Sequence, residues 1–511
     1  MRCDRRRACS QRCEVWAQAR AEYGYRDIRP CPLLVEFAGH PYIDVRASFN
    51  SFIPAGVPRK LAEKLVRFYL AKLARHPELH DKVEFEVVVP SLSFDFDRRA
   101  REMMQEGFSA REIGMLRRSL ARLTMRGLND LAAARTRIEA LDTRCPHLLK
   151  IGEPLRRASA LLEDARRLGT PAFASLARSG FIAVGLLDSM ARDAILSERH
   201  RTAFLESLQT PAKRMQRDAA AVKSGRRDWG GFVARYGHLR PGTYDILSPT
   251  YREGAELYLR PLVAAASRTS RKTPAGWSAA ARRRIAHALE NIGLPLDAAN
   301  FEATLREAIE GREWSKFSFT KNLSLALDAL AEFGESRGFS KDDISHAAIG
   351  ELQAAAGMSA VGAREHLGTV IASGRRDFER IQAICLPSQI GAEADFLCFE
   401  QLPAEPNFVT RKTVRAEILV MDGGPGAAAA RLAGRIAVLP NADPGYDWLF
   451  ARAIGGLVTM YGGVNSHMAI RAAEFGLPAA IGVGESWYQR ISRARALEIN
   501  CAARQIRIIE Q

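Results

Sequence analysis

Apolar positions change their spacing three times along the chain. From Pro32, "LLVEFAGHPYIDVRASFNSFIP" is rich in β-branched and aromatic residues. It reads as two short strands around Gly39-His40-Pro41. In "PRKLAEKLVRFYLAKLARHPEL" the residues Leu61, Leu65, Phe68, Tyr69 and Leu73 recur at helical spacing. "KVEFEVVVPS" then alternates and predicts a strand. Together these make a small mixed α/β opening unit over residues 31–96, preceded by a ragged stretch over 1–30.

From residue 97 the period becomes helical and stays so to about 386, as in "AREIGMLRRSLARLTMRGLNDLAAARTRIEAL". One stretch interrupts it. "ARYGHLRPGTYDILSPTYRE", residues 234–253, is dominated by Gly, Pro and aromatic residues and predicts an ordered loop. A proline-rich linker is expected over 387–408. After it, residues 409–511 alternate strands with helices. "GRIAVLPNADPGYDWLFARAIGGLVTMYGG" predicts strand, loop, helix and strand. "HMAIRAAEF" predicts a helix, "PAAIGVG" a strand, and "ALEINCAARQIRIIEQ" a closing hairpin. The expected fold class is multidomain α/β, with a mostly helical middle region and a C-terminal α/β domain. There is no internal repeat.

Composition narrows the function classes. With 511 residues, 47% hydrophobic and 26% charged, the chain has the makeup of a globular protein with several cores. No apolar run reaches the length that a membrane span needs, and the basic N-terminus lacks the apolar core of a secretory signal. A cytoplasmic protein with no membrane partner is the expectation. Of the eight cysteines, Cys3, Cys9, Cys13 and Cys31 crowd the N-terminus. Their spacing fits no zinc template, and no metal site is expected. The net charge of +16 is mostly arginine spread along helices. A solvated basic surface explains it better than a nucleic-acid partner, for which no aromatic signature or finger spacing is present.

One histidine stands apart. In "TMYGGVNSHMAIRAAEFGLPAAIGVGE", Gly462 and Gly463 allow a tight turn, and Asn465 and Ser466 are good N-cap types. His467 should therefore open a helix that Gly476 closes in a left-handed cap, with Pro478 beyond. A helix N-terminus disfavours imidazolium, so the ring stays neutral and nucleophilic, and it favours an anionic group attached to that ring. A Gly-Gly-x-x-Ser-His stretch alone is equally compatible with a first-turn histidine that does no chemistry.

The wider pattern resembles the phosphohistidine (swivelling) domain of phosphoenolpyruvate-utilising enzymes, the phosphoenolpyruvate synthase and rifampin phosphotransferase-like family. Gly462, Gly463, Ser466, His467, Ala469, Ile470, Glu474, Gly476, Pro478, Ala479 and Gly482 carry the likeness, with Pro444 and Gly445 upstream. The resemblance covers roughly residues 409–511. It implies that His467 is the catalytic phosphoryl carrier, with Gly462, Gly463, Asn465, Ser466 and Arg471 around histidine and phosphate. Two departures stand out: Asn465 replaces a common Thr, and Ala473 replaces a common Arg.

"RYGHLRPGTYDILSPTY" resembles a segment of the middle domain of the same family. It implies candidate acceptor-binding residues His238, Arg240 and Asp245, and "PYIDVRASFNSFIP" adds Arg46 and Asn50. The equally open reading of Arg240 is a structural loop pair with Asp245. The family's ATP-grasp and phosphoenolpyruvate-barrel patterns are not recognisable here. The chain is thus expected to bind no cofactor alone and to need an ATP-grasp domain or protein, which would supply Mg·ATP. The function implied is that of a phosphotransferase component, a kinase-type transferase whose donor is ATP or phosphoenolpyruvate. The alternative is a truncated, non-catalytic remnant or a regulatory phosphocarrier served by a separate ATP-grasp protein. Water, pyruvate, a glycan or an antibiotic hydroxyl all remain compatible as acceptor.

Overall fold

The computed structural model describes residues 15–80, 82–241, 244–266, 276–399, 405–421, 431–442, 444–463 and 466–510. They form two compact units. One comprises residues 1–79, 83–210 and 272–385; the other comprises 80–82, 211–271 and 386–511. The helical stretch expected over 97–386 is therefore shared between them.

The first unit is almost entirely helical. Among its described residues the one sheet is a hairpin of β1 (Leu34–Phe37) and β2 (His40–Ile43), paired antiparallel. Gly39 turns it at φ +87°, where a side chain would be strained. The expected continuation as extended chain ends there. Val45–Asn50 is a short helix whose N-cap is Asp44, accepting from Ala47 N–H at 2.9 Å.

Helices Arg59–Arg75, Ala110–Asn129, Leu131–Leu148 and Ala298–Ser336 each bury one stripe of the period seen in the sequence. Leu65, Tyr69, Leu120, Ile138, Leu186 and Leu305 belong to one shared core. Their ends follow local rules. Ser109 and Glu112 form a reciprocal capping box, and Asp297 caps the 39-residue helix Ala298–Ser336. One described stretch, Pro154–Arg192, is long and apolar enough to cross a bilayer by length and composition, and half of its apolar window is buried within the protein.

The strand expected in "KVEFEVVVPS" is instead a π-helical turn, Val83–Val87. No sheet edge in this unit pairs with it. Arg99 donates to the backbone carbonyls of Phe85 and Glu86, and the Glu84 carboxylate accepts from Arg178 at 2.9 Å.

The second unit is built on a seven-stranded sheet of order β3-β7-β6-β5-β4-β8-β9. Its strands are β3 (Asn407–Val409), β4 (Thr413–Val420), β5 (Ile436–Asn441), β6 (Gly456–Tyr461), β7 (Ala479–Ile481), β8 (Ala496–Asn500) and β9 (Gln505–Glu510). Strands β4, β5, β6 and β7 run parallel, while β3, β8 and β9 are antiparallel additions. In β5 the residues Ile436, Ala437, Val438 and Leu439 are all buried, because a central parallel strand is covered on both faces. In β4 exposed and half-buried positions alternate, as the one-sided pattern of that segment predicts. The C-terminal hairpin β8–β9 is as expected. The helix expected after Pro444 is a 3-10 segment, Pro444–Arg452.

Helices Pro211–Lys223, Trp229–Tyr236 and Ala255–Ala265 belong to this unit as well. Tyr258 stacks on Tyr251 at 4.7 Å and meets the buried Trp448 edge-on at 5.8 Å. Arg452 Nη2 donates to the Leu257 carbonyl at 2.7 Å. An apolar seam thus ties the helical segment to the sheet domain.

Candidate functional site

The loops that leave β5, β6 and β7 gather at the carboxyl edge of the parallel strands, where open α/β sheets place their ligands. Glycine makes this gathering possible. Gly462 follows β6 at φ +144°, and a Cβ there would lie 2.5 Å from Ala442 Cβ and 2.9 Å from Ile481 Cγ2. Gly482 follows β7 at φ +77°, and its Cβ would lie 2.4 Å from the Gly462 carbonyl oxygen. Neither position tolerates a side chain. Thr459, fully buried, fixes the crossing: Gly482 N–H donates to its carbonyl at 3.0 Å and to its Oγ1 at 3.1 Å.

The helix that follows is His467–Glu474. Ser466 is its N-cap, accepting from Ala469 N–H through Oγ at 3.3 Å. Its far end is a Schellman motif: Leu477 N–H reaches the Ala472 carbonyl, Gly476 N–H reaches that of Ala473, and Gly476 sits at φ +58°. The backbone of His467 thus opens the first turn, as its sequence context predicts. Asn465 and the ring of His467 lie outside the described residues.

Arg471 stands one turn beyond His467 and is 2% exposed. Its Nε donates to Asp447 Oδ1 at 3.0 Å, with both side chains buried. Its guanidinium also lies over the rings of Phe475 and Phe450 at 4.7 and 5.5 Å. Asp447 was not singled out in the sequence. An arginine on the buried stripe of an amphipathic helix, beside Met468 and Ala472, is the signal that a buried acid must exist.

The loop that follows Tyr236 lies against this edge. A Cβ on Gly445 would fall 1.8 Å from the Arg240 carbonyl oxygen and 2.3 Å from Pro241 Cα, so the two loops touch backbone to backbone. Tyr251 Oη donates to the Gly445 carbonyl at 2.8 Å. Arg240, 3% exposed, donates through Nη1 to the carbonyls of Asp245 and Ser248 at 3.2 and 3.1 Å. The Asp245 carboxylate turns the other way and accepts from Leu247 N–H at 2.9 Å. His238 is buried too. Contact between Arg240 and Asp245 therefore runs through the backbone, not as an ion pair.

Arg46 and Asn50 lie in the first unit, on the helix Val45–Asn50. Arg46 is exposed, and Asn50 Nδ2 donates to the Arg46 carbonyl at 2.9 Å. His238, Arg240 and Asp245 lie in the second unit, so the five candidate acceptor residues are divided between the units. Among the described residues no group of three His, Cys, Asp or Glu side chains is arranged to hold a metal ion.

Residues 432–503 match the family described as PEP-utilising enzyme, mobile domain. This interval contains the glycine crossing, the capped helix, His467 and the Arg471–Asp447 pair. The match supports a phosphohistidine-carrying role in phosphotransfer. The chain is also similar to chondramide synthase cmdD of Chondromyces crocatus, at 26% identity over 309 residues. That alignment takes in 53% of this chain, which spans 8% of the relative's length.

Proposed function

From the premise that residues 432–503 belong to the mobile-domain family of phosphoenolpyruvate-utilising enzymes, we propose that this chain carries a phosphoryl group on His467 from a donor site to an acceptor. The observation that carries the reading is the placement of His467. It opens a Ser466-capped helix, directly after the Gly462 turn, at the carboxyl edge of parallel strands within the matched interval.

A ring nitrogen attacks the donor phosphorus, the bond from phosphorus to the leaving oxygen breaks, and a phosphoramidate forms. An acceptor oxygen then attacks the same phosphorus and the P–N bond breaks. The helix start supplies N–H dipoles to the phosphoryl oxygens in both steps, so positioning and electrostatics do most of the catalysis. The donor on this reading is an ATP-grasp domain or protein charged with Mg·ATP. The buried Arg240 and Pro241 support the carrier edge by packing on Gly445.

Intact-mass measurement of the full chain tests this, after incubation with Mg·ATP in the presence and absence of a separate ATP-grasp protein. Phosphoenolpyruvate serves as the parallel donor. One added phosphoryl group is expected, labile in acid and stable in base, and His467→Ala should abolish it. A label that persists in His467→Ala, or an acid-stable ester on Ser466, would show the assignment to be wrong. Absence of any label with either donor would favour a non-catalytic remnant.

A further inference from the structure

The amino edge of the same strands holds a different feature. A cleft of about 610 Å³ is lined by Glu417, Ile418, Arg431, Arg435, Arg493, Ala494 and Arg495. Four arginines and one acid, Glu417, share the lining. Arg435 precedes β5, and Arg495 precedes β8, where its carbonyl accepts from Ile418 N–H at 2.9 Å. Glu417 holds two of the four: Arg435 Nη2 at 2.7 Å and Arg495 Nη2 at 3.9 Å. Arg431 and Arg493 are exposed and form no ion pair among the described residues.

Like charges gathered in one concavity repel, and more strongly where solvent is partly excluded. Arg493 ends the helix Glu485–Ser492, where a cation complements the dipole. That accounts for one guanidinium and not for the convergence of four. Glu417 braces Arg435 and Arg495, Glu510 lies 3.6 Å from Arg495 Nε, and the four arginines keep an excess of two positive charges over these two carboxylates. We propose that this cleft binds a polyphosphate group, with Arg435 and Arg495 as its braced wall and Arg431 and Arg493 as arms that close on the ligand.

Chemistry selects the class. Guanidinium forks match phosphate oxygens in pairs, which a single ammonium cannot do. The lining has no aromatic ring to stack on a base, so recognition is by charge. The volume exceeds what one phosphate fills and lies in the range of small-molecule sites. By strand rise, the six residues of β5 separate this cleft from the His467 edge by roughly 17 Å. A ligand here does not take part in the phosphoryl step, and the site stands whether or not His467 is a carrier.

Titration calorimetry of the full chain with inorganic tripolyphosphate, at moderate ionic strength, tests the proposal. Saturable binding at one site is expected. Arg431→Gln with Arg493→Gln should weaken it by roughly tenfold or more. Arg490→Gln, one turn away on the same helix but outside the cleft, should leave it unchanged. The thermal midpoint of the double variant should match the parent, since both arms are exposed and without ion-pair partners, so a loss of binding is not a loss of fold. Three results would overturn the site: no saturable binding to the parent, equal weakening by Arg490→Gln, or citrate binding as tightly as tripolyphosphate.

Discussion

Arg471 shows how a single side chain can be both a liability and an anchor. A guanidinium that is 2% exposed is held by Asp447, 3.0 Å from its Nε, and by two aromatic rings that lie against it. Removing the acid takes a counter-charge away from a buried cation. Asp447→Ala should therefore destabilise the second unit by about 3–5 kcal/mol, read from denaturant midpoints. Asp447→Asn keeps a hydrogen-bond acceptor and should cost less. Gly445 carries a similar constraint for a steric reason. Its Cβ has no room beside the Arg240 carbonyl, so Gly445→Ala should cost about 1–3 kcal/mol by forcing the two loops apart. If the variant were as stable as the parent, the backbone contact would not exist in solution.

At the scale of elements, the helix His467–Glu474 is legible in the sequence alone. Ser466 and Gly476 are residue types with one strong local preference each, and both adopt it. Ser466→Ala should lower stability by about 1 kcal/mol and speed amide exchange in the first turn of the helix. Gly476→Ala should cost a similar amount, about 1 kcal/mol, through φ alone, since its Cβ would meet only the mobile end of Lys412. The segment Val83–Val87 failed as a strand for the opposite reason. Alternation predicts a strand only where the segment joins a neighbour, and neither edge of the described β1–β2 hairpin takes it in. Likewise Arg46 and Asn50 lie in a segment whose composition predicts extended chain. The Asp44 cap instead starts a helix there.

Across the whole molecule, buried phenols set the alkaline limit. Burial pushes the Tyr69 hydroxyl up to about 12, and it raises Tyr23, Tyr236 and Tyr258 further. A raised folded-state value means that stability is fully present below the unfolded value of 10 and is lost as pH climbs through the folded one. Arg20 acts the other way. Burial, and then the neighbouring Arg178, bring its guanidinium down to about 9, so its contribution rises with pH from there upward. The raised phenols, Tyr42 among them, outnumber the guanidiniums that burial lowers, Arg20, Arg99 and Arg452. The denaturant midpoint should fall between pH 10 and pH 12, and Tyr69→Phe should flatten that fall by roughly 1 kcal/mol per pH unit. A midpoint that stays level or rises over this range would contradict the burial of these rings.

The sequence by itself determined what depends on neighbours within a few residues. Helical stripes, caps, glycine turns, the closing hairpin and the backbone position of His467 follow from side-chain size, period and left-handed φ. Tertiary structure decided what depends on distant partners. The loop 236–251 has the composition of an ordered loop, yet nothing in its own residues says that it packs on Gly445, because that contact joins segments some two hundred residues apart. The Arg471–Asp447 pair and the four converging arginines are of the same kind. Charges far apart in sequence are brought together only when the strands take their order in the sheet, and that order is set by burial summed over the whole unit.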